Sequence, residues 1–148
     1  MFVQIAVGSG LLLLNICIAA LAAFVLEVMF QRAHGWMLRE PHRPKLLLML
    51  SVVSLWVLGV VTTGVWVWAV VLHGLGAFAT LEEAVHFSLA AFTTLGLGDI
   101  VPAREWRLLA GMEAANGLLD FGLLTALLIE ALRHVRMGQV DAARNSDD

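Results

Sequence analysis

Tyrosine is absent from the 148 residues, cysteine occurs once and proline three times. The lone cysteine, Cys17, rules out a disulfide framework within one chain and leaves the redox compartment open. It sits in an apolar run and reads as a small filler facing lipid or a neighbouring helix. Charge is also scarce: Asp, Glu, Lys and Arg make up 14% of the chain, and the net charge is −3. Such a chain has no basic surface for nucleic acid. There is no GxGxxG run, no zinc-type cluster of Cys and His, and no nucleophile–base pair. The histidines (His34, His42, His73, His86 and His134) are scattered. Neither an enzyme nor a bound cofactor is expected. No hydrophobic stretch carries regularly spaced arginines, which excludes a voltage-sensing helix. No internal repeat or low-complexity segment appears, and the polar tail 138–148 is too short for a nucleotide- or calcium-binding domain.

Apolar residues are abundant instead, at 60% of the chain, with a mean hydropathy of +0.87. A water-soluble domain of this size has too little interior for them, so a bilayer is the expected solvent. About 20 apolar residues carry a helix across the hydrocarbon. Three stretches qualify: 3–30, broken only by Asn15 and Glu27; 46–72, without a charge; and 106–132, which holds Glu113, Asp120 and Glu130. The shorter piece 84–95 suits a re-entrant helix, provided protein shields its ends. Ala19, Ala20, Ala22 and Ala23 resemble a signal-cleavage region, but no Lys or Arg precedes the run and the run is too long; it reads as a retained span.

Basic residues set the orientation. Arg32, Arg39, Arg43 and Lys45 lie between the first two spans, and Arg133, Arg136 and Arg144 follow the third, against Arg104 and Arg107 on the other side. The positive-inside rule then places the 32–45 loop and the C-terminus in the cytoplasm, and the N-terminus and 73–105 outside. Pro41 and Pro44 suit a helix-breaking inner loop. Trp36, Trp56, Trp66, Trp68 and Trp106 mostly suit interfacial or lipid-facing positions.

The outer segment reads ATLEEAVHFSLAAFTTLGLGDIVP. Thr80 followed by Glu83 forms a capping box, which predicts a helix over 81–92. The run Thr93, Thr94, Leu95, Gly96, Leu97, Gly98, Asp99 follows. Alternate glycines permit backbone angles closed to other residues. A strand alternating between two such conformations points successive carbonyls to one side. Four strands around an axis then offer rings of oxygen dipoles in place of a cation's water shell. The C-terminal end of the short helix, partially negative, favours that cation.

TTLGLGD is similar to the TTVGYGD selectivity filter of potassium channels, and the likeness extends through FSLAAFTT before it and IVP after it. The chain thus resembles the two-helix pore module of the potassium-channel superfamily, of bacterial type, over about residues 46–135, with an extra N-terminal span. The resemblance implies an all-α membrane protein: three transmembrane helices plus a re-entrant pore helix and filter loop, assembled as a tetrameric pore in the plasma membrane. Its parts would be a peripheral helix over 1–31, a basic cytoplasmic loop over 32–45, a pore domain over 46–137 and a short tail over 138–148. Within the pore domain the outer helix spans 46–72, the pore helix 81–92, the filter 93–99 and the inner helix 105–135. By position, the carbonyls of Thr94, Leu95, Gly96 and Leu97 and the Thr94 hydroxyl would bind K+. Gly98 would close the filter, Thr93 would support it, and Asp99 would sit behind its outer mouth. The permeant ion would be K+, with Na+ as competitor, and the partners a homotetramer and the lipid bilayer.

The chain departs from the family at several places. Leu97 replaces the filter aromatic, whose hydrogen bond helps hold the filter open; some two-pore-domain channels also carry GLG. A looser filter with weaker discrimination against Na+ is the expected consequence. His86 stands where many members have a tryptophan that bonds the aspartate, and Ala90 where some have a carboxylate. A His86–Asp99 contact and sensitivity to external pH follow as expectations. Glu113, Asn116 and Asp120 lie at i, i+3 and i+7, one stripe of a helix. Facing the conduction path, four copies of Asp120 would form an anionic ring. GLLDFGLL also resembles the inner helix of inward rectifiers, which implies block by polyamines or Mg2+ at Asp120. Glu113 is alternatively a support behind the filter base. Glu27 and Glu130 read as interfacial: Glu27 meets Arg32 or a basic residue of another span, and Glu130 pairs with Arg133 or His134 or reaches water. Gly117 lies near the family's hinge, where close packing is an equal reading. The rival functions are a weakly selective monovalent cation channel and a nonconducting membrane scaffold or accessory subunit.

Overall fold

The computed structural model describes residues 2–37 and 42–144, with side chains described outside 33–44, 46, 131, 132 and 134–148. Arg39 and Pro41 of the basic loop and the last four residues of the tail fall outside the described residues, as do the side chains of His34, His42, Arg43, His134, Arg136 and Arg144. Four α-helices follow in order: α1 (Phe2–Met37), α2 (His42–Gly74), α3 (Leu81–Phe92) and α4 (Arg107–Arg144), the last preceded by a 3-10 turn at Arg104–Trp106. No strand occurs among the described residues.

Three of these helices are long and apolar enough to cross a bilayer, over Phe2–Arg32, Leu47–Gly74 and Arg104–Glu130. A third or less of each apolar window is buried within the chain. The remaining apolar surface, with Leu13, Leu21, Phe24, Leu55, Leu58 and Leu118 each 60% exposed or more, has lipid or another copy as its natural neighbour. All backbone polar groups along such helices are satisfied internally, which is what the hydrocarbon demands.

α2 starts at His42, so Pro44 lies in its first turn rather than in a loop. A first-turn proline forfeits no helical bond, because that N–H has no partner there anyway. At its far end Gly76 adopts a positive φ of 72°, and the Ala77 N–H returns to the Leu72 carbonyl at 2.9 Å, a C-terminal cap of the Schellman kind. α4 continues to Arg144, beyond the point where the sequence pattern predicts a polar tail.

α1 and α2 are antiparallel: Trp56 Nε1 donates to the Ala22 carbonyl at 3.2 Å, and Asn15 lies beside Gly64. α1 and α4 run in the same direction, with the Gln4 amide donating to the Glu105 carbonyl and Gly8 packed against Met112. The apolar core joins all four helices through Leu11, Val65, Trp68, Leu72, Ala84, Phe87, Phe92 and Leu109. Trp68 is wholly buried in the core, an exception to the mainly interfacial or lipid-facing placement expected of the tryptophans. Glu27 takes Gln31, one turn on, as its partner at 3.3 Å, a local i,i+4 pair in place of the Arg32 expected from charge alone.

Candidate ion-conduction site

The short helix α3 is fixed at both ends. At its start Thr80 Oγ1 accepts from the Glu83 N–H at 3.2 Å, and Glu83 Oε2 accepts from the Thr80 N–H at 3.4 Å. This reciprocal pair satisfies two of the free N–H groups of a helix start. At its end the carbonyls of the last turn are taken up by the chain that follows. The N–H of Thr93 returns to the Leu89 carbonyl at 3.1 Å, that of Thr94 to Ala91 at 2.9 Å, and those of Leu95 and Gly96 to Ala90 at 2.9 and 3.2 Å. The Thr93 hydroxyl adds a bond to the Leu89 carbonyl at 2.7 Å.

Positive φ then recurs at every second residue: Thr94 at 58°, Gly96 at 58° and Gly98 at 75°. Glycine adopts this left-handed region freely. Thr94 does so at a steric cost, and the hydrogen bonds of its neighbours to α3 hold it there. The result is a segment whose N–H groups over 93–96 point back to α3. Among the described residues no backbone donor reaches the carbonyls of 94–97. Residues 93–99 are all exposed on the single chain. A surface of main-chain oxygens free of protons is a ligand set for a hard cation.

His86 Nε2 lies 3.1 Å from Asp99 Oδ2, with both side chains about half exposed. The carboxyl of Asp99 is held below its ordinary range, chiefly by the Ile100 N–H; desolvation opposes this, and the hydrogen bond to His86 adds a lesser lowering. The pair ties the outer end of the filter segment to the middle of α3, thirteen residues earlier.

The acidic stripe of α4 does not occupy the position expected of it. Glu113 and Asn116 are wholly buried and Asp120 is 4% exposed. All three are buried within the single chain, with Glu113 beside Ser88 of α3. Asn116 Nδ2 donates to Asp120 Oδ2 at 3.2 Å. The exposed side of α4 carries Gly111, Ala115, Leu118, Gly122, Thr125 and Ile129. An anionic ring of Asp120 around a central path, with polyamine or Mg2+ block at it, therefore has no support in this arrangement. The i, i+3, i+7 spacing identified a common face correctly. Which neighbour that face meets was decided by α1 and α3, whose Asn15 and Ser88 are also buried and make the inner side the more polar one.

Gly117 occupies a close approach. A Cβ there would overlap the main chain of Phe92, with its Cα 2.8 Å away. The residue lets the end of α3, and with it the start of the filter segment, rest directly on α4. Phe92 itself is wholly buried and stacks edge-on to Phe121 at a centroid distance of 6.3 Å. Sequence reasoning passed over Asn15, Ser88 and Phe92. The one available signal was Asn15, a lone amide in an apolar span, which is costly in lipid unless it meets protein.

With this geometry established, the sequence profile of the ion channel family matches residues 50–134, more than half of the chain. No curated protein and no solved structure gives a significant match. The chain belongs to the ion channel family, the two-transmembrane branch of the potassium-channel superfamily, and is a membrane protein of that kind.

Proposed function

We propose that this member of the ion channel family is one subunit of a homotetrameric pore in the plasma membrane that passes K+ in preference to Na+. The observation that carries the reading is the alternation of positive φ at Thr94, Gly96 and Gly98, with the N–H groups of 93–96 tied back to α3. It frees the carbonyls of Thr94, Leu95, Gly96 and Leu97 for ions. One such strand cannot enclose a cation, and four copies can. In that assembly the Leu118, Gly122, Thr125 and Ile129 side of α4 borders the path inward of the filter. The excess of Arg and Lys over residues 32–45 and 133–144 favours an orientation with the filter and the N-terminus outside and the C-terminus in the cytoplasm.

A weakly selective monovalent cation channel is the second reading, and Leu97 favours it. Its side chain is 56% exposed and has no donor with which to brace the filter. Flux into liposomes containing the purified protein, under opposed K+ and Na+ gradients, separates the two. A reversal potential that follows K+ alone supports the first reading; one that shifts equally with Na+ supports the second. Absence of flux from protein that is folded and oligomeric would leave a nonconducting scaffold.

A further inference from the structure

Seven buried side-chain polar atoms have no hydrogen-bonding partner among the described residues: Trp68 Nε1 on α2, Asn15 Nδ2 and Oδ1, Ser88 Oγ, both carboxyl oxygens of Glu113, and Asn116 Oδ1. All but the Trp68 indole come from α1, α3 and α4 and share one region. Ser88 and Phe92 are one turn apart on α3. The Ser88 hydroxyl lies beside the Glu113 carboxyl without reaching hydrogen-bond geometry, and the Phe92 main chain rests on Gly117. Asn15 arrives from α1: a Cβ at Gly64 would sit 2.8 Å from the Phe92 ring and 3.6 Å from Asn15 Oδ1. Gln4 meets Glu105, 101 residues on, and Gly8 meets Met112. With that register the parallel helices place Asn15 level with Asn116–Leu119.

No basic side chain enters this seam. The buried polar residues among those described are Asn15, Ser88, Glu113, Asn116 and Asp120. Apart from the Trp68 indole N–H, the orphaned atoms hold more acceptors than donors, with one amide NH2 and one hydroxyl against the amide and carboxyl oxygens. Water supplies two donors per molecule and bridges groups too far apart for a direct bond. Native proteins satisfy such buried groups with ordered water.

We propose that the seam between α1, α3 and α4 is a water-binding site within each subunit, behind the base of the filter, with Asn15, Ser88, Glu113, Asn116 and Asp120 as its polar wall. α1 then has a defined task. It supplies Asn15 and closes the third side of a hydrated chamber that a two-helix pore would leave open to lipid. This inference goes beyond the channel reading and does not depend on conduction.

The test is X-ray radiolytic labelling of the purified full-length chain in lipid nanodiscs, with water as the probe and mass spectrometry as the readout. Radicals generated from an ordered water label the side chain beside it. Phe92, wholly buried, is expected to take up a hydroxyl label in the wild type, and to lose it severalfold in Asn15→Leu. In Asn15→Ser, which keeps a polar group and serves if the leucine variant misfolds, the label should persist. An unlabelled Phe92 in the folded wild type overturns the site, and undiminished labelling in Asn15→Leu removes Asn15 from it. Because no ion flux is measured, a conducting protein with a dry seam sinks this inference alone. A labelled protein that does not conduct sinks the channel reading alone.

Discussion

The filter segment and the seam behind it both hold polar atoms without partners in the chain, yet the two regions differ in kind. In the filter segment the free atoms are main-chain oxygens, exposed, and set by backbone angles at Thr94, Gly96 and Gly98. In the seam they are side-chain atoms, buried, and set by where three helices meet. The first arrangement is local: twenty consecutive residues, from Thr80 to Asp99, contain the cap, the helix, the alternation and the brace. The second needs residues as distant as Asn15 and Asp120. An array of exposed main-chain oxygens can therefore be written into one short stretch, whereas the support beneath it depends on the packing of the whole chain.

That comparison can be broken by substitutions on either side of it. The largest effect is expected for Gly96→Ala. Its φ of 58° costs an L-residue roughly 1–2 kcal/mol in each copy, enough to lower K+ flux by about tenfold or more while leaving the thermal stability of the detergent-solubilised protein nearly unchanged. Liposome flux beside a thermal melt reads both quantities. Equal losses in the two would erase the distinction between regions.

Gly117→Val works on the contact between them. Its side chain would meet the main chain of Phe92, which cannot rotate away, and overpacking of this kind destabilises by about 1–3 kcal/mol. The melting temperature should fall, and the residual folded protein should conduct with altered selectivity because the filter's footing has moved. A melt unchanged from wild type would mean that α3 does not rest on α4 at this point.

Thr80→Ala removes the cap of α3, far from the seam, and should cost about 1 kcal/mol; Thr80→Ser should restore it, as followed by thermal unfolding. The smallest effect is expected at the solvent-exposed brace. The folded-state pKa of Asp99 lies below its ordinary 3.8, so its contribution to stability is complete above that value and is lost as the pH falls through the folded pKa. Asp99→Asn should abolish this acid step in a melt recorded against pH.

Much of this was legible in the sequence because the signals were short-range. The Thr80–Glu83 box announced α3, the three hydrophobic runs announced the spans, and the alternate glycines Gly96 and Gly98 announced the alternation, which the structure extends back to Thr94. The His86–Asp99 contact followed from the family resemblance, through two residues thirteen apart. The surroundings of Asp120 were not legible in the same way. Helical periodicity places Glu113, Asn116 and Asp120 on one face, and the physics of lipid says that such a face must meet water or protein. Neither statement chooses between a central path and the interior of the subunit. Trp68 was misplaced for the same reason: a bulky amphipathic ring suits an interface equally as well as a core.

The sequence by itself determined the solvent, the helix count and the chemistry of the filter segment, because hydropathy, capping and glycine spacing act over one or two turns. Only the tertiary structure decided that α1 packs along α4, that Gly117 serves as a seat for Phe92, and that the acidic stripe turns inward to Asn15 and Ser88. Those outcomes depend on the shapes of whole helix faces meeting across the fold, and no local pattern of residues encodes which face wins.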